Sequence, residues 1–235
     1  HILNLAKLYS RLNQRSFMKL KFQVVVIGGG VVGCSVLYHL TKLGWKDVVL
    51  LERSELTCGS TWHAAGGMHT INGDPNLAKL QLYTINNYKE IAEISGQDIG
   101  LHMTGGIMLA ATQERFDWLK SMHSKGRYLG METEIISPAE AKKIMPLINP
   151  EHFVGGLHNT YEGHLDPYGT TWAYAKAARK RGAEIYQHSR VTDLKLDREG
   201  TWRVFMDSDS TGERHEIQSE HVVNAGGLWA REVGR

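Results

Sequence analysis

Cysteine is scarce in this chain: Cys34 and Cys58 are the only two in 235 residues. Two thiols make no disulfide framework, and without a CxxC pair there is no sulfur set for a structural zinc. HExxH is missing as well, despite 12 histidines, which removes the usual helical zinc-protease signature. Nor does one sign of charge dominate. Lys and Arg number 27 against 25 Asp and Glu, a formal net charge of +2, so there is no strong pull toward nucleic acid or a membrane surface. No apolar run reaches the roughly 20 residues that span a bilayer, because acids, lysines or glycines interrupt each one. What is present is ordinary for a soluble globular protein, 42% hydrophobic and 22% charged. The length suits one large domain or two small ones.

The chain opens on His1 and stops at Arg235, just past a motif that normally opens a helix, and it reads as an N-terminal fragment. Residues 1–22 hold five Lys or Arg and no acid. A mitochondrial presequence has that composition; so does a surface helix, or read-through ahead of a start at Met18. The expected compartment is the cytoplasm in a bacterium, or alternatively the mitochondrial matrix.

Phe22–Ile27 is a continuous apolar run, as in a parallel strand buried on both faces. A glycine turn follows, then a predicted helix over Val31–Leu43 with Val32, Val36, Leu40 and Leu43 as its apolar face and Gly44 as its cap. Asp47–Leu51 is a second buried strand. Helices are predicted over Asn76–Ile94 and Thr112–Lys125, and two short strands around Gly105-Gly106. Ser137-Pro-Ala-Glu140 is a capping box that starts a short helix, and Asp166-Pro167 opens another that Gly182 closes. Phe153–His158 is a predicted strand. Glu184–Gln187, Val191–Asp197, Thr201–Met206 and Glu213–Gln218 alternate between turns and read as a meander, with His221–Asn224 as a last short strand. The expected organisation is an N-terminal extension over 1–21, a nucleotide-binding domain over 22–95 and 184–235, and an inserted substrate-facing part over 96–183.

Gly28-x-Gly30-x-x-Gly33 stands between a strand and a helix. The first glycine permits a tight turn, the second lets backbone approach a pyrophosphate, and the third lets helix and strand pack closely. The helix N-terminus, with about half a positive charge, favours the phosphates. Glu52 ends the second strand 24 residues after Gly28, where a carboxylate can accept from both ribose hydroxyls. It would repel a 2′-phosphate, which disfavours NADP, although Arg53 is adjacent. The choice between NAD and FAD turns on the next stretch, Thr57–Gly67. Small residues there let the chain pass close to a ligand. The hydroxyls of Ser60 and Thr61 can meet phosphate or ribitol oxygens, and Trp62 offers an apolar plane for a flavin. His63 taken alone is equally a structural or an exposed histidine.

Gly59–Gly66, GSTWHAAG, fits G-[ST]-T-W-H-[AT]-A-G. On these residues the chain resembles the dimethylglycine dehydrogenase and sarcosine dehydrogenase family of FAD-dependent N-methylglycine oxidoreductases. The resemblance covers nearly all of residues 22–235. Glu162–Tyr168 is similar to the family's G-H-[IV]-D-P-Y segment, whose Asp-Pro also serves as a plain helix start, and Val223–Ala230 to its N-A-A-G-x-W-A strand. The resemblance implies an α/β fold: an FAD-binding Rossmann-like fold with a β-meander and an inserted α+β substrate domain, as in glycine and D-amino acid oxidases. It implies FAD bonded covalently through His63, with Ala225, Gly226 and Trp229 at the cofactor and Val191 placing backbone near the adenine.

The implied activity is oxidative N-demethylation of a small methylated amine, with dimethylglycine favoured by Ser60, Ala64 and Tyr168, and sarcosine by Gly169. Electron-transferring flavoprotein or oxygen would be the acceptor. The family's catalytic base and tetrahydrofolate domain lie beyond residue 235, so no catalytic residue is assigned here. Neither nucleic-acid binding nor membrane insertion is expected. Two other readings fit the same residues: another FAD-dependent amine or amino-acid oxidoreductase, and a non-catalytic regulatory paralogue. Retention of His63 argues against the second.

Overall fold

A computed structural model describes residues 19–208 and 212–235. Residues 1–18, with most of the basic N-terminal stretch, and residues 209–211 lie outside the described residues. Two compact units are present. One holds the described chain up to Thr61 together with Tyr174–Arg235, and the other holds Trp62–Ala173.

The first unit begins with the expected strand, helix, strand: β1 (Lys21–Ile27), α1 (Val31–Lys42) and β2 (Val48–Leu51). β1 pairs parallel with β2, and Val24, Val25 and Val26 are all buried, as a strand covered on both faces requires. Four later strands complete one sheet: β8 (Glu184–Tyr186), β9 (Ser189–Leu196), β10 (Trp202–Ser208) and β11 (Arg214–Asn224). Their order is β8-β2-β1-β11-β10-β9. Phe22, Val25, Val49, Leu51, Val204, Met206 and Ile217 form the core on one face.

Two sequence expectations change here. β8 pairs parallel with β2, so the meander is β9, β10 and β11 only. Glu213–Gln218 and His221–Asn224 are one strand, not two. The first part of β11 pairs antiparallel with β10, and its second part runs parallel beside β1. A strand that changes partners midway shows no single alternation along its length.

The expected apolar face of α1 is also displaced. Val32 and Leu43 are 64% and 78% exposed; Gly33, Cys34, Leu37, Tyr38 and Thr41 are buried instead. Close packing of Gly33 fixes this rotation. A Cβ there would lie 1.9 Å from the Gly28 carbonyl oxygen, so only this glycine can face the strand, and its neighbours follow.

The second unit contains β3 (Gly67–Met68), α2 (Pro75–Ser95), β4 (Gly106–Ala110), α3 (Gln113–Tyr128), β5 (Thr133–Ile136), α4 (Pro138–Ile144), β6 (Gly155–Asn159) and β7 (Gly163–His164). β4, β6 and β5 form an antiparallel sheet, and β3 pairs with β7. Helix starts agree with their sequence signals. Asp74 caps α2 through the Asn76 and Leu77 amides, and Ser137 and Glu140 form the capping box of α4. The expected pair of strands around Gly105-Gly106 is only β4, with an isolated bridge from His102 to His164. β5 went unpredicted because its four residues, TEII, are too few for a period to show.

Helix α5 (Pro167–Lys180) leaves this unit and carries the chain back to the first. Asp166 caps it by accepting from the Tyr168 and Gly169 amides at 3.0 and 2.8 Å. The division into units therefore falls at residues 61/62 and 173/174, ahead of the expected 95/96 and 183/184. Ile85 of α2 packs with Met68 and Leu165, while Tyr174 packs on Tyr38 with ring centroids 5.6 Å apart. Among the described residues no helix is long and apolar enough to cross a membrane.

Candidate functional site

The glycine turn between β1 and α1 is built by crowding on one side and openness on the other. Gly28 has a φ of 111°, a left-handed conformation that side chains avoid. A Cβ there would also sit 2.4 Å from the Ala225 carbonyl oxygen. Gly33 packs on the Gly28 carbonyl as described, and its Cβ would be 3.4 Å from the Ala225 side chain. Gly30 differs from both. Its φ of −77° and ψ of 178° suit any residue, and a Cβ there would meet only Thr61 Oγ1, at 3.1 Å. No backbone conformation and no backbone contact demands a glycine at position 30. Apart from Thr61 Oγ1, which would have to give by a few tenths of an ångström, no other atom lies within 4 Å of that Cβ.

Two amides of this turn are already satisfied by side chains the sequence assigned to a ligand. Gly29 N–H donates to Glu52 Oε2 at 2.6 Å. Val31 N–H, in the first turn of α1 where no helical acceptor exists, donates to Thr61 Oγ1 at 3.0 Å. Glu52 is 7% exposed, and its other oxygen accepts from Ser54 N–H at 2.9 Å and the Cys58 thiol at 3.6 Å. Charge-assisted bonds of this kind contribute about 1.5–3 kcal/mol each. Glu52 is thus a clamp on the turn, and Thr61 ties the following loop to α1.

The structure gathers most of the sequence-derived candidates around this clamp. The Arg53 guanidinium lies over the Trp229 ring, 3.7 Å from its centroid, and a Cβ on Gly59 would reach that indole at 3.7 Å. Ala225 N–H donates to Ile27 at 2.8 Å, and Gly226 N–H to the Asn224 side chain at 3.1 Å. Together these hold the second glycine corner against the first. Ser189 N–H donates to the Glu52 carbonyl at 2.8 Å, so the chain entering Val191 passes the end of β2. The Val191 side chain itself packs on the core. Ser60 is exposed.

His63 belongs to the other unit and follows Thr61 in one 3-10 turn, Thr61–His63. Its ring stacks on Trp62, with centroids 3.9 Å apart and planes tilted by 35°. Both side chains are exposed, Trp62 by 57%.

Both cysteines border Glu52. Burial, then the Glu52 charge, pushes the Cys34 thiol from 9.0 up to about 12, against a smaller pull from Arg179. The Cys58 thiol is raised by burial and the same carboxylate. Neither is poised as a thiolate nucleophile.

Sequence reasoning missed a second buried carboxylate. Glu162, 3% exposed, accepts from Asn159 Nδ2 at 3.0 Å and pairs with His69 Nδ1 at 3.3 Å. Asn159 also donates to Thr70 at 2.7 Å. A Cβ on Gly106 would fall 1.9 Å from Glu162 Oε2. The adjacent pair Gly105-Gly106 was the available signal that something packs against that backbone. His102 and His164 stack nearby on the same ribbon, ring centroids 5.0 Å apart. Among the described residues no group of three side chains is placed to hold a metal.

Residues 23–235 match the family described as FAD dependent oxidoreductase. The chain belongs to that family. Within it, the chain is 43% identical over 213 residues to a protein named dimethylglycine dehydrogenase, mitochondrial, from Rattus norvegicus, covering 91% of this chain and 24% of that protein. It is 39% identical over 215 residues to sarcosine dehydrogenase, mitochondrial, from Homo sapiens, covering 90% and 23%. Among solved structures, L-proline dehydrogenase from P. horikoshii superposes with a TM-score of 0.81 at 25% identity, over 92% of this chain and 56% of that one. Glycine oxidase from Geobacillus kaustophilus superposes with a TM-score of 0.75 at 27% identity, over 92% of this chain and 58% of that one. The chain spans about a quarter of the length of the curated relatives it matches.

Proposed function

We propose that this protein carries out FAD-dependent oxidative N-demethylation of a methylated glycine, dimethylglycine in the first instance. The observation that carries the reading is Gly30: a glycine with ordinary backbone angles whose Cβ would meet only the Thr61 hydroxyl, at the start of a helix and in a chain of the FAD dependent oxidoreductase family. Choice of substrate rests on the likeness to proteins named for dimethylglycine and sarcosine.

The first unit would hold the cofactor's nucleotide half. Backbone at Gly30 would approach the pyrophosphate at the positive end of α1, with Gly28 and Gly33 shaping the turn that presents it. Glu52 keeps lone pairs for a ribose while clamping the turn. Arg53, stacked on Trp229, and the backbone at Val191 would border the adenosine, and the corner at Ala225 and Gly226 would line the opposite side. Ser60 and Thr61 would meet the middle of the cofactor, and His63 would be bonded to it. FAD, when bound, supplies the two-electron acceptance that the side chains of this chain lack. The chain's own contribution is to bind, orient and shield. No residue of this chain is assigned as the base that takes the amine proton; electron-transferring flavoprotein or oxygen would accept the electrons, and tetrahydrofolate would take up the one-carbon unit. The compartment proposed is the mitochondrial matrix in a eukaryote and the cytoplasm in a bacterium.

Anaerobic addition of dimethylglycine to the intact, yellow protein tests the reading. Loss of the flavin's visible absorbance, fast with dimethylglycine and slower with sarcosine, is the expected result. An unchanged spectrum with both would overturn the reading and favour another amine or a regulatory role.

A further inference from the structure

We infer that one face of the β3–β7 ribbon receives the amino-acid part of the substrate: its carboxylate on the pair His102 and His164, its amine end toward His69. The inference rests on the demethylation reading above, in which a small zwitterion must be held by something other than its reacting methyl group.

Backbone pairing brings these residues together. His102 N–H donates to the His164 carbonyl at 2.8 Å, and His164 N–H to the His102 carbonyl at 3.0 Å. Residues that exchange both bonds stand directly opposite each other, so their side chains share a face. On its other side His164 stands opposite Gly67, and His69, two residues further on, returns to the same face. That face is open: His69, His102 and His164 are exposed, while the alternating Met68 and Leu165 are buried. Crowding fixes the strands beneath. A Cβ on Gly163 would fall 2.0 Å from the His102 carbonyl oxygen, whereas one on Gly67 would meet His69 Nε2 alone, at 3.7 Å. Gly67 is a bare floor among imidazoles.

The two ends of the face differ in polarity. The His102 and His164 rings stack, with centroids 5.0 Å apart and planes tilted by 31°. No ring nitrogen of either has a hydrogen-bond partner among the described residues. Every imidazole carries at least one N–H, so the pair offers two donors side by side, matching the two oxygens of a carboxylate. At the other end His69 Nδ1 lies 3.3 Å from Glu162 Oε2, and Glu162 is 3% exposed. An ionised carboxylate only accepts, so the Nδ1 proton is assigned to that contact, and Nε2 over Gly67 is the acceptor of the neutral ring. The buried negative charge behind it attracts a cation and repels an anion. Donors at one end, an acceptor backed by negative charge at the other and a bare glycine between them fit a zwitterionic amino acid laid in one direction. Gly67 also follows His63 by only four residues in the same unit. That is at most about 14 Å of chain, so the face is within reach of a flavin bonded there.

The test puts the intact, yellow protein through two measurements. Calorimetric titration with trimethylglycine reads the face without chemistry, because that molecule keeps the carboxylate and has no nitrogen lone pair to oxidise. Anaerobic flavin reduction by dimethylglycine and by its methyl ester gives the preference for a free carboxylate. His102→Ala and His164→Ala should each weaken trimethylglycine binding about tenfold or more, the loss of one donor to a charged group. The preference for acid over ester should fall by a similar factor. His164→Gln, which keeps a donor, should recover most of both. Wild-type trimethylglycine affinity in both alanine variants would overturn the carboxylate site and leave demethylation standing. An equal loss for acid and ester, the mark of a merely structural role, would also overturn it, as would a wild type that does not bind trimethylglycine. A wild type that binds it through these histidines yet is not reduced by dimethylglycine would overturn the demethylation reading alone.

Discussion

Two buried glutamates hold two glycine corners, one in each unit, and only one of them was readable in advance. Glu52 closes on Gly29, whose Cβ would lie 3.0 Å from the Glu52 side chain. Glu162 closes on Gly106, where the corresponding distance is 1.9 Å. Both are desolvated, and a buried carboxylate is tolerated only with donors around it. Glu52 finds its donors close by in the chain: the Gly29 amide within its own βαβ unit, the Ser54 amide two residues on and the Cys58 thiol. Glu162 finds its donors in side chains, and His69 is 93 residues away in the chain. The comparison teaches that a carboxylate serving a local motif announces itself by spacing, whereas one serving a tertiary knot does not.

Removing the first carboxylate should have the largest effect. Glu52→Ala strands Gly29 N–H and loosens the turn, at a cost of about 3 kcal/mol, and should leave the purified protein colourless. Chemical denaturation together with flavin content checks both. If stability falls but the protein stays yellow, Glu52 is a clamp without any ribose contact. Next comes Glu162→Gln. It keeps the shape but turns one acceptor into a donor beside Asn159, a loss of about 1–3 kcal/mol. Flavin content should be unchanged, and a colourless Glu162→Gln protein would erase the distinction between the two knots.

Gly30→Ala separates ligand from fold more finely. The Cβ needs a few tenths of an ångström from Thr61 Oγ1, so the melting temperature should stay within a few degrees of wild type. FAD affinity should drop at least tenfold, the loss of about 1.4 kcal/mol, because the backbone can no longer approach a phosphate. Equal affinity would show that the backbone at Gly30 is not the pyrophosphate site.

The smallest effect concerns the thiols around Glu52. A raised thiol pKa keeps the group neutral, and its contribution to stability is complete below the unfolded value of 9.0. That contribution is lost as pH rises toward about 12 for Cys34. At pH 8 a thiol reagent should label Cys58 slowly and Cys34 only after unfolding. Rapid labelling of both in the native protein would mean the clamp is open.

Much of the first unit was legible because its residues obey short-range rules. The run at Phe22–Ile27, the glycine spacing and the carboxylate at position 52 each lie within about thirty residues. Even there, the rotation of α1 was not legible. Hydrophobicity favoured Val32 and Leu43, but steric contact at Gly33 decided the face. The capping signals at Ser137 and Asp166 were readable for the same local reason. β8 was misassigned because an isolated strand's sequence does not say whether its partner is the next strand or one far behind it. The roles of Thr61 and Glu52 as internal hydrogen-bond acceptors were hidden too, since the same atoms serve equally well toward a ligand.

The central claim is that the loop after β2 exists to fix a flavin through His63. The most direct test digests the intact protein and weighs the peptide that contains His63. The account predicts a peptide heavier by one FAD less two hydrogens, with the modification on the imidazole and the colour retained in the acid pellet. An unmodified His63 peptide, with all flavin released to the supernatant, would contradict it.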